Sequence, residues 1–399
     1  MRRVWGPQLP IESSFFRIPR FAAHIAGCWP QSPTQPRTWL TVLRFCVNAF
    51  AVALGAFSEN FYGIVHLDDL FSALEAFTPG IVKFISLVKM MTLFVRHKRW
   101  HRTISRMRML LLQDISLEKR HIMEPLASYG SLLSFVLLAS GTLTNLFFNI
   151  LPLVKMAYYK WQSQELKLLL PFKVTLPEML VNFPYYPATY LMLTLSGAMT
   201  VLSFSAADGF FLCSCMYTSA LFRMLKHDIR DAFAELRELE YSSKVQNIRI
   251  RRRLEALVER HNEIVDMCSD FVSEFPVIIL LDFLVTAEML CCGIIFAMSS
   301  ASIGILTYIF YCIASLLQFT LYCVGGTAVS ESSLEIADVL YDIDWYKCDV
   351  RTRRMILIML TRAQKAKTIK VPFFIPSLPA LRATISTAGS YIAVMKRFI

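Results

Sequence analysis

Four residues near the end of the 399-residue chain stand four positions apart: Ser386, Ser390, Val394 and Phe398. Residues at this spacing share one face of an α-helix, so they would form a single stripe along it. Small hydroxyl groups followed by apolar side chains suit a water-filled conduit that is closed by a hydrophobic constriction. Small residues four apart also occur where two membrane helices pack closely. The spacing alone therefore favours helix packing, with a pore wall as the alternative.

Residues that could carry out catalysis are not arranged for it. The sequence contains no HExxH, GxSxG or phosphate-binding loop. A membrane hydrolase or transferase would bring paired acids or histidines within its apolar segments. All seven histidines lie outside those segments, at His24, His66, His97, His101, His121, His227 and His261. The sequence predicts neither an enzyme nor a bound cofactor or metal.

The composition is that of a membrane protein. Apolar residues make up 55% of the chain and charged residues 18%, and the mean hydropathy is +0.47. A soluble domain is about a quarter charged. The formal charge of +11 follows the membrane segments instead of forming a phosphate-binding cluster, which argues against nucleic acid as a partner.

Seven apolar segments are long enough to cross a bilayer as helices, since a span needs about 20 residues. Five are clear: 126–151, 179–207, 275–301, 302–330 and 371–395. Two are weaker, 38–64 with Arg44 and 70–95 with Glu75, Lys83 and Lys89. The sequence therefore predicts an all-α polytopic membrane protein with seven transmembrane helices.

Lysine and arginine are distributed unevenly between the connecting segments. With the N-terminus in the cytosol, 31 of them fall in inside segments and 6 in outside segments. Because basic loops stay on the cytosolic side, we expect the N-terminus inside and the C-terminus outside. The first 37 residues also lack the apolar core of a signal peptide. This orientation is opposite to that of a G-protein-coupled receptor, so no G protein is expected as a partner.

Two connecting segments, 216–274 and 331–370, have the pattern of amphipathic helices, with apolar residues every three or four positions among charges. In the first, the expected buried residues are Leu225, Ile229, Phe233, Leu236, Leu239, Leu254, Leu257, Ile264 and Val265. In the second, they are Ile336, Leu340, Trp345, Met355, Ile358 and Met359. The basic run 249–253 could hold acidic membrane lipid, or it could be a solvated face. These segments predict a cytosolic helical layer where subunits meet.

Several motifs follow one another through the last part of the chain: Gly325-Gly326, Ser330, Tyr341, Trp345, Arg362, Gln364, Ser377-Leu378 and Ser390-Tyr391. In this order they resemble the C-terminal signature of the insect odorant receptor family. The stretch "LVERHNEIVDMCSDFVSEF" is similar to the family's sequence before the fifth span, and "VKMMTLFVRHKRW" to the end of its second span. The resemblance covers most of the chain.

The resemblance implies a ligand-gated, non-selective cation channel in the plasma membrane of a sensory neuron dendrite. Four subunits would surround a pore lined by the seventh helix, with Ser390, Val394 and Phe398 at pore and gate positions. The family's co-receptor carries a much longer insertion within the segment that corresponds to 216–274. This chain lacks it and is therefore expected to be an odorant-specific subunit that assembles with the co-receptor.

The same resemblance assigns roles to the segments. Residues 1–37 form a cytosolic N-terminal segment, 38–215 the ligand-binding bundle of spans one to four, and 216–274 a cytosolic extension. Residues 275–330 hold spans five and six, 331–370 a cytosolic anchor segment, and 371–399 the pore-lining span seven. Tyr341, Trp345 and Arg362 are the expected subunit-interface anchors. A gustatory receptor of the same superfamily is the first alternative, and a secondary transporter the second.

An odorant site is implied in the outer halves of spans two, three, four and six. An apolar volatile needs a dry cavity with a few polar anchors. The candidates are Phe77, Ile81, Thr142, Asn145, Asn149, Tyr190, Thr194, Gly197, Tyr308 and Tyr311. Tyr308 and Tyr311 match a tyrosine pair in the pockets of relatives, and an amide such as Asn145 within a span requires a hydrogen-bond partner. For each residue singly, ordinary helix packing is the alternative.

Three basic residues near the end of the chain, Arg382, Lys396 and Arg397, lead to further predictions. Arg382 lies in the last predicted span, where a lipid-facing arginine costs about 2.5–3.5 kcal/mol, so it should face water or a partner. Asp282 and Glu288 are the candidate counter-charges. Lys396 and Arg397 are expected to extend their charges to the outer interface.

Overall fold

The computed structural model describes residues 15–30, 38–112, 116–162, 168–234, 243–299 and 304–395. Within these ranges the chain forms α-helices and no β-strand, and the extended pairing described is an isolated bridge between Val371 and Phe374. The prediction of an all-α protein is confirmed.

The described helices, in chain order, are α1 (Arg17–Ala26), α2 (Trp39–Val65), α3 (Leu70–Val95), α4 (His97–Leu112), α5 (Leu117–Trp161), α6 (Glu178–Val181), α7 (Tyr186–Ala234), α8 (Lys244–Val272), α9 (Pro276–Ser299), α10 (Gly304–Asp342), α11 (Val350–Ala363) and α12 (Leu378–Met395). A 3₁₀ turn, Trp345–Lys347, lies between α10 and α11. Within the described residues, six helices are long and apolar enough to cross a membrane: α2, α3, α5, α7, α9 and α10.

The last helix begins later than the sequence predicted. It was expected from residue 371, but α12 begins at Leu378. Pro372 and Pro376 have no N–H for a helical hydrogen bond. The helix starts where the Ser377 carbonyl accepts from the Leu381 N–H at 3.0 Å. Its 18 residues rise about 27 Å, close to the roughly 30 Å of a bilayer core.

Three spans continue well beyond their predicted ends. Helices α5 and α7 contain 45 and 49 residues, or about 68 and 74 Å of helix. The predicted ends at 151, 207 and 330 are therefore too early, since α5, α7 and α10 run on to Trp161, Ala234 and Asp342. Hydropathy marks where apolar composition stops. The extensions of α7 and α10 are packed against protein, whereas that of α5, residues 152–161, is largely exposed.

Helix α7 is the central element of the bundle and packs against α1, α3, α5, α8 and α10. Its residues 205–222 are all buried. Small residues allow this close packing: a Cβ on Gly209 would lie 2.9 Å from the Pro19 Cγ of α1. Glycine therefore lets α1 cross α7 at short range.

Helices α4, α8 and α11 pack with the C-terminal ends of α7 and α10 in a second helical layer, called the end layer below. The described members of the predicted apolar stripe on α7 and α8 are buried, whereas Leu236 and Leu239 lie outside the described residues. The stripe predicted for 331–370 needs a correction. Ile358 is 71% exposed because α11 buries the face that carries Ile356 and Met359, and Trp345 in the 3₁₀ turn is 36% exposed.

Candidate functional site

A cavity of about 90 Å³ lies inside the bundle, between α3, α5, α7, α9 and α10. Its walls are mostly apolar, with four aromatic rings from Phe148, Phe172, Phe204 and Tyr311. Phe172 enters from the connection between α5 and α7 and closes one side. A mostly apolar cavity with a few polar groups is the usual form of a site for a small organic ligand.

Aromatic contacts shape the end of the cavity near the connection between α5 and α7. The Phe148 ring stacks on Phe172 with centroids 5.1 Å apart, and it meets the edge of Tyr311 at 5.6 Å. Opposite them, Gly197 leaves room for the Asn145 amide, which a Cβ at that position would overlap. These contacts place Asn145, Gly197 and Tyr311 around one space.

Charged and amide side chains also line the cavity: Lys83, Asp282 and Gln318. Lys83 forms an ion pair with Glu59 of α2, and its Nζ lies 3.4 Å from the centroid of the Phe172 ring. The cavity therefore combines aromatic walls with an ammonium group, a carboxylate and an amide.

Next to Asp282, Lys89 of α3 joins three helices. Its Nζ lies 2.8 Å from Asp208 Oδ1 of α7 and 2.8 Å from Asp282 Oδ1 of α9. The Tyr322 hydroxyl of α10 donates to Asp208 Oδ1 at 2.5 Å, and Gln318 Nε2 donates to Asp282 Oδ1 at 2.8 Å. We call Lys89, Asp208, Asp282, Gln318 and Tyr322 the buried polar network.

The sequence missed this network as a unit, although the signal was present. Lys83 and Lys89 appeared as charges that weakened the second span, and Asp282 as a counter-charge for Arg382. In the structure Arg382 is exposed and Asp282 pairs with Lys89, so the proposed Arg382–Asp282 pairing is wrong. Opposite charges within different apolar segments could have indicated mutual pairing, because an unpaired buried charge is costly.

The predicted ligand residues fall into different environments. Asn145, Gly197 and Tyr311 line the cavity. Asn149, Tyr190 and Thr194 instead form hydrogen bonds between α5 and α7: the Thr194 hydroxyl donates to Asn149 Oδ1 at 2.6 Å, and the Tyr190 hydroxyl to the Asn149 carbonyl at 2.5 Å. These three residues support the cavity wall from behind.

The remaining candidates lie farther away. Ile81 lines a separate groove between α2 and α3, and Phe77 covers Gly63 of α2. Thr142 lies on the exposed face of α5, where its hydroxyl donates to the Leu138 carbonyl. Tyr308 lines a neighbouring cavity beside the connection between α5 and α7.

One predicted pore residue and the three predicted anchor residues are exposed on the single chain. Ser390 is exposed on α12, and Val394 belongs to the same helix, whereas Phe398 lies outside the described residues. Tyr341, Trp345 and Arg362 are exposed on the end layer. An aromatic pair open to solvent on a packed helical layer is a typical protein contact surface.

Two ionisable groups in the end layer have shifted pKa values. Burial lowers the pKa of His261 below its usual 6.5, and the Arg362 charge lowers it further. Burial by itself raises the pKa of Glu274, but hydrogen bonds from Arg96 and Arg99 hold it below the usual value. Glu274 is thereby fixed as an anion between α4 and α9.

One group of potential metal ligands occurs among the described residues. Glu118, His227 and Asp231 bring their ligand atoms within 4.8 Å of one another where α5 begins and α7 ends. The two carboxylates are largely exposed, and His227 already contacts both. Exposed clusters of this kind are common without a metal, so the group adds no chemistry to the cavity.

Comparisons with known proteins agree with this geometry. Residues 69–389 match the family model described as 7tm Odorant receptor. Odorant receptor 22c of Drosophila melanogaster is 47% identical over 399 residues, which cover 98% of this chain and 99% of that one. Odorant receptor 24a of the same organism is 32% identical over 392 residues, 98% of each chain. These relatives are receptors, which confirms the prediction that the chain is not an enzyme and fits an odorant-specific member.

Solved structures share the fold at low sequence identity. The insect olfactory receptor OR5 from Machilis hrabei has a TM-score of 0.78 at 14% identity, over 95% of this chain and 96% of that chain. The same receptor in complex with eugenol has a TM-score of 0.75 over 98% and 99%. With the family match over most of the length and a relative at 47% identity, the chain belongs to the insect odorant receptor family.

Proposed function

We propose that this chain is the odorant-binding subunit of a ligand-gated cation channel that assembles with the family's co-receptor. An odorant occupies the cavity between α3, α5, α7, α9 and α10. Its binding biases the bundle toward a state in which the pore, lined by α12, is open. The observation that carries the proposal is the aromatic-walled cavity inside the bundle in a chain of odorant receptor sequence.

The location of the cavity supports coupling between ligand and pore. α10 contributes Tyr311 and Ser315 to the cavity wall and packs directly against α12. α12 also contacts α9, which contributes Asp282. A ligand that fits the cavity better in one arrangement of these helices would shift the populations of the two arrangements.

The exposed stripe of α12 supports a pore formed by several chains. Ser386 and Ser390 face outward from the single bundle. A polar stripe on a membrane helix is favourable where it faces water, as it would in a central conduit between subunits. Val394 and Phe398 continue the stripe toward the proposed gate.

The end layer supports assembly. Tyr341 and Ile358 are each 71% exposed, and Tyr346 and Leu357 are also open to solvent. Exposed aromatic and aliphatic groups on a rigid layer suit a buried interface with a partner chain. The basic bias of the connecting segments supports a cytosolic location for this layer, with the N-terminus inside and the C-terminus outside in the plasma membrane.

A pair of neighbouring substitutions on α10 tests the cavity. Ala314 lines it, whereas Ile313 is exposed on another face of the same helix. With the co-receptor co-expressed, Ala314→Phe should reduce odorant-evoked current about tenfold or more by filling the space, and Ile313→Phe should leave it unchanged. Both variants must reach the surface at wild-type levels. Equal responses from the two variants would exclude this cavity as the odorant site.

The same cells distinguish a channel from a transporter. Odorant-evoked cation current within milliseconds is expected of a channel. Saturable uptake of a labelled odorant without current would refute the channel and favour the transporter instead.

A further inference from the structure

A strongly basic helix follows α3. α4 begins at His97, directly after Arg96 caps the end of α3. Residues 96–112 contain one lysine and five arginines but no aspartate or glutamate. Because α3 is long and apolar enough to cross a membrane, the first turn of α4 lies close to the boundary of the lipid. Clusters of basic residues next to a span commonly bind the headgroups of anionic lipids.

The apolar face of α4 packs against the protein and is not available to lipid. Trp100 is 1% exposed, and its ring centroid lies 5.3 Å from that of Phe210 and 5.1 Å from that of Phe275. Ile104 and Met107 on the same face are also buried. This packing holds the basic face outward, so α4 can meet the membrane through headgroups but not by inserting into it.

The basic face borders a groove of about 270 Å³ between α4 and the junction of α8 with α9. The residues that line it on the α4 side are Arg99, Arg102, Thr103 and Arg106. Arg96 at the end of α3 forms an ion pair with Glu274, which lies just before α9. Since α3 and α9 are both candidate spans, the groove lies where two spans reach the same surface of the bundle.

Two carboxylates fix part of the positive charge in the groove. Glu274 accepts hydrogen bonds from Arg96 and from Arg99, the latter at 2.7 Å. Asp270 accepts from Arg106 at 2.5 Å. With the remaining arginine of the groove, four positive and two negative side chains leave a net charge of +2.

Arg102 is that remaining arginine, and it is open. It is exposed and forms no ion pair with the described residues, and the same holds for Lys98 one turn earlier. Arg102 stands three residues after Arg99 and four before Arg106, so the three lie in a row on one face of α4. Each guanidinium can bind phosphate oxygens through paired N–H donors. The row can therefore contact more than one phosphate group at the same time.

We propose that this groove binds the headgroup of a phosphoinositide, an anionic lipid that carries several phosphate groups. The headgroup lies over Arg99, Arg102 and Arg106, and its acyl chains remain in the bilayer beside α3 and α9. A headgroup with one negative charge, such as phosphatidylserine, would neutralise half of the +2 charge and leave part of the row unused. The inference goes beyond the proposed function and rests on it only for the cytosolic location of the end layer, where anionic lipids occur.

A fluorescent phosphatidylinositol bisphosphate with short acyl chains tests the site. It is titrated against the purified complex of the full-length chain with its co-receptor in detergent, and binding is measured by fluorescence anisotropy. Unlabelled phosphatidylinositol bisphosphate should displace the probe at a concentration about tenfold or more below that of phosphatidylserine or of soluble inositol trisphosphate. Equal competition by phosphatidylserine overturns the requirement for several phosphates. Equal competition by inositol trisphosphate overturns a membrane lipid as the ligand.

Two double variants with the same change of charge locate the binding. Lys98→Gln/Arg102→Gln removes two open cations without leaving a carboxylate unpaired, and it should weaken binding of the probe about tenfold or more. Arg252→Gln/Arg253→Gln removes two exposed charges from α8 in the same layer and should change the affinity less than about twofold. Unchanged affinity in the first variant overturns the proposal. An equal loss in both variants also overturns it, because the layer would then bind through its overall charge.

The outcome is independent of the proposed channel, because the assay uses neither odorant nor current. Selective phosphoinositide binding by a receptor that gives no odorant-evoked current would support the lipid site and refute the channel. Odorant-evoked current from a receptor that does not bind the probe would support the channel and overturn the lipid site.

Discussion

Replacing Lys89 by methionine should destabilise the bundle severely, because Lys89 is the cation that two buried carboxylates share. The side chain has no solvent exposure, and its Nζ lies 2.8 Å from an oxygen of Asp208 and of Asp282. Methionine keeps the length of the side chain but not the charge. Leaving a buried partner uncompensated costs about 3–5 kcal/mol.

This free energy converts to a measurable shift in melting temperature. The average unfolding entropy of about 2.1 cal/mol/K per residue, taken from soluble proteins, amounts to about 0.84 kcal/mol/K for 399 residues. The expected fall is therefore about 4–6 °C. It is measured on the purified receptor complex in detergent by the loss of the intact peak in size-exclusion chromatography after heating.

A variant in which the three charged residues of the buried polar network are all neutral provides the sharpest comparison with Lys89→Met. The triple variant Lys89→Met/Asp208→Asn/Asp282→Asn should recover most of the stability, since replacing a whole buried ion cluster by neutral groups is often nearly neutral. Arg120→Met, which breaks an exposed pair with Glu124, should cost less than about 1 kcal/mol. The reasoning is refuted if Lys89→Met melts like Arg120→Met, or if the triple variant is no more stable than the single one.

Three further predictions concern other parts of the molecule. The fold favours neutral His261, whose pKa is lowered, so the stability it contributes is present above its unfolded value of about 6.5 and lost as the pH falls below it. His261→Gln should therefore lessen the drop in melting temperature between about pH 7.5 and pH 5.5, and an unchanged drop would contradict this. Ile358→Glu should leave the melting temperature of the isolated chain unchanged but reduce recovery of the co-receptor in pull-downs about fivefold or more; undiminished recovery removes Ile358 from the interface. Val394→Cys should make the odorant current sensitive to a charged thiol reagent applied from outside, and a current that persists would count against the pore assignment.

Much of the fold could be predicted because long apolar segments permit few structures in lipid. A segment such as 70–95 must satisfy its backbone hydrogen bonds internally and therefore forms a helix, and α3 has these bounds in the structure. Helix ends that leave the apolar region were less predictable. The apolar stripe through Leu225, Ile229 and Phe233 indicated a helix after residue 216, but its continuity with the preceding span as one helix, α7, is not stated by any local pattern.

The sequence predicted the apolar character of the candidate site but not which side chains line it. The apolar character of the cavity and its position among several spans follow from composition and from the family resemblance. Which face of each helix points inward depends on its rotation about its own axis. Thr142 and Asn145 are three residues apart, yet the first is exposed and the second lines the cavity. A change in that rotation would exchange them without changing the sequence pattern.

The sequence by itself determined that this is a helical membrane protein, that it belongs to the insect odorant receptor family, and that it is not an enzyme. Hydrophobicity and motif order are properties of the chain, and they persist however the helices pack. Only the tertiary structure decided that Lys89 joins Asp208 and Asp282, and that Asp282 lines the cavity. Pairing between charges 119 and 193 residues apart depends on how three helices are placed in space, and that placement results from the packing of the whole bundle.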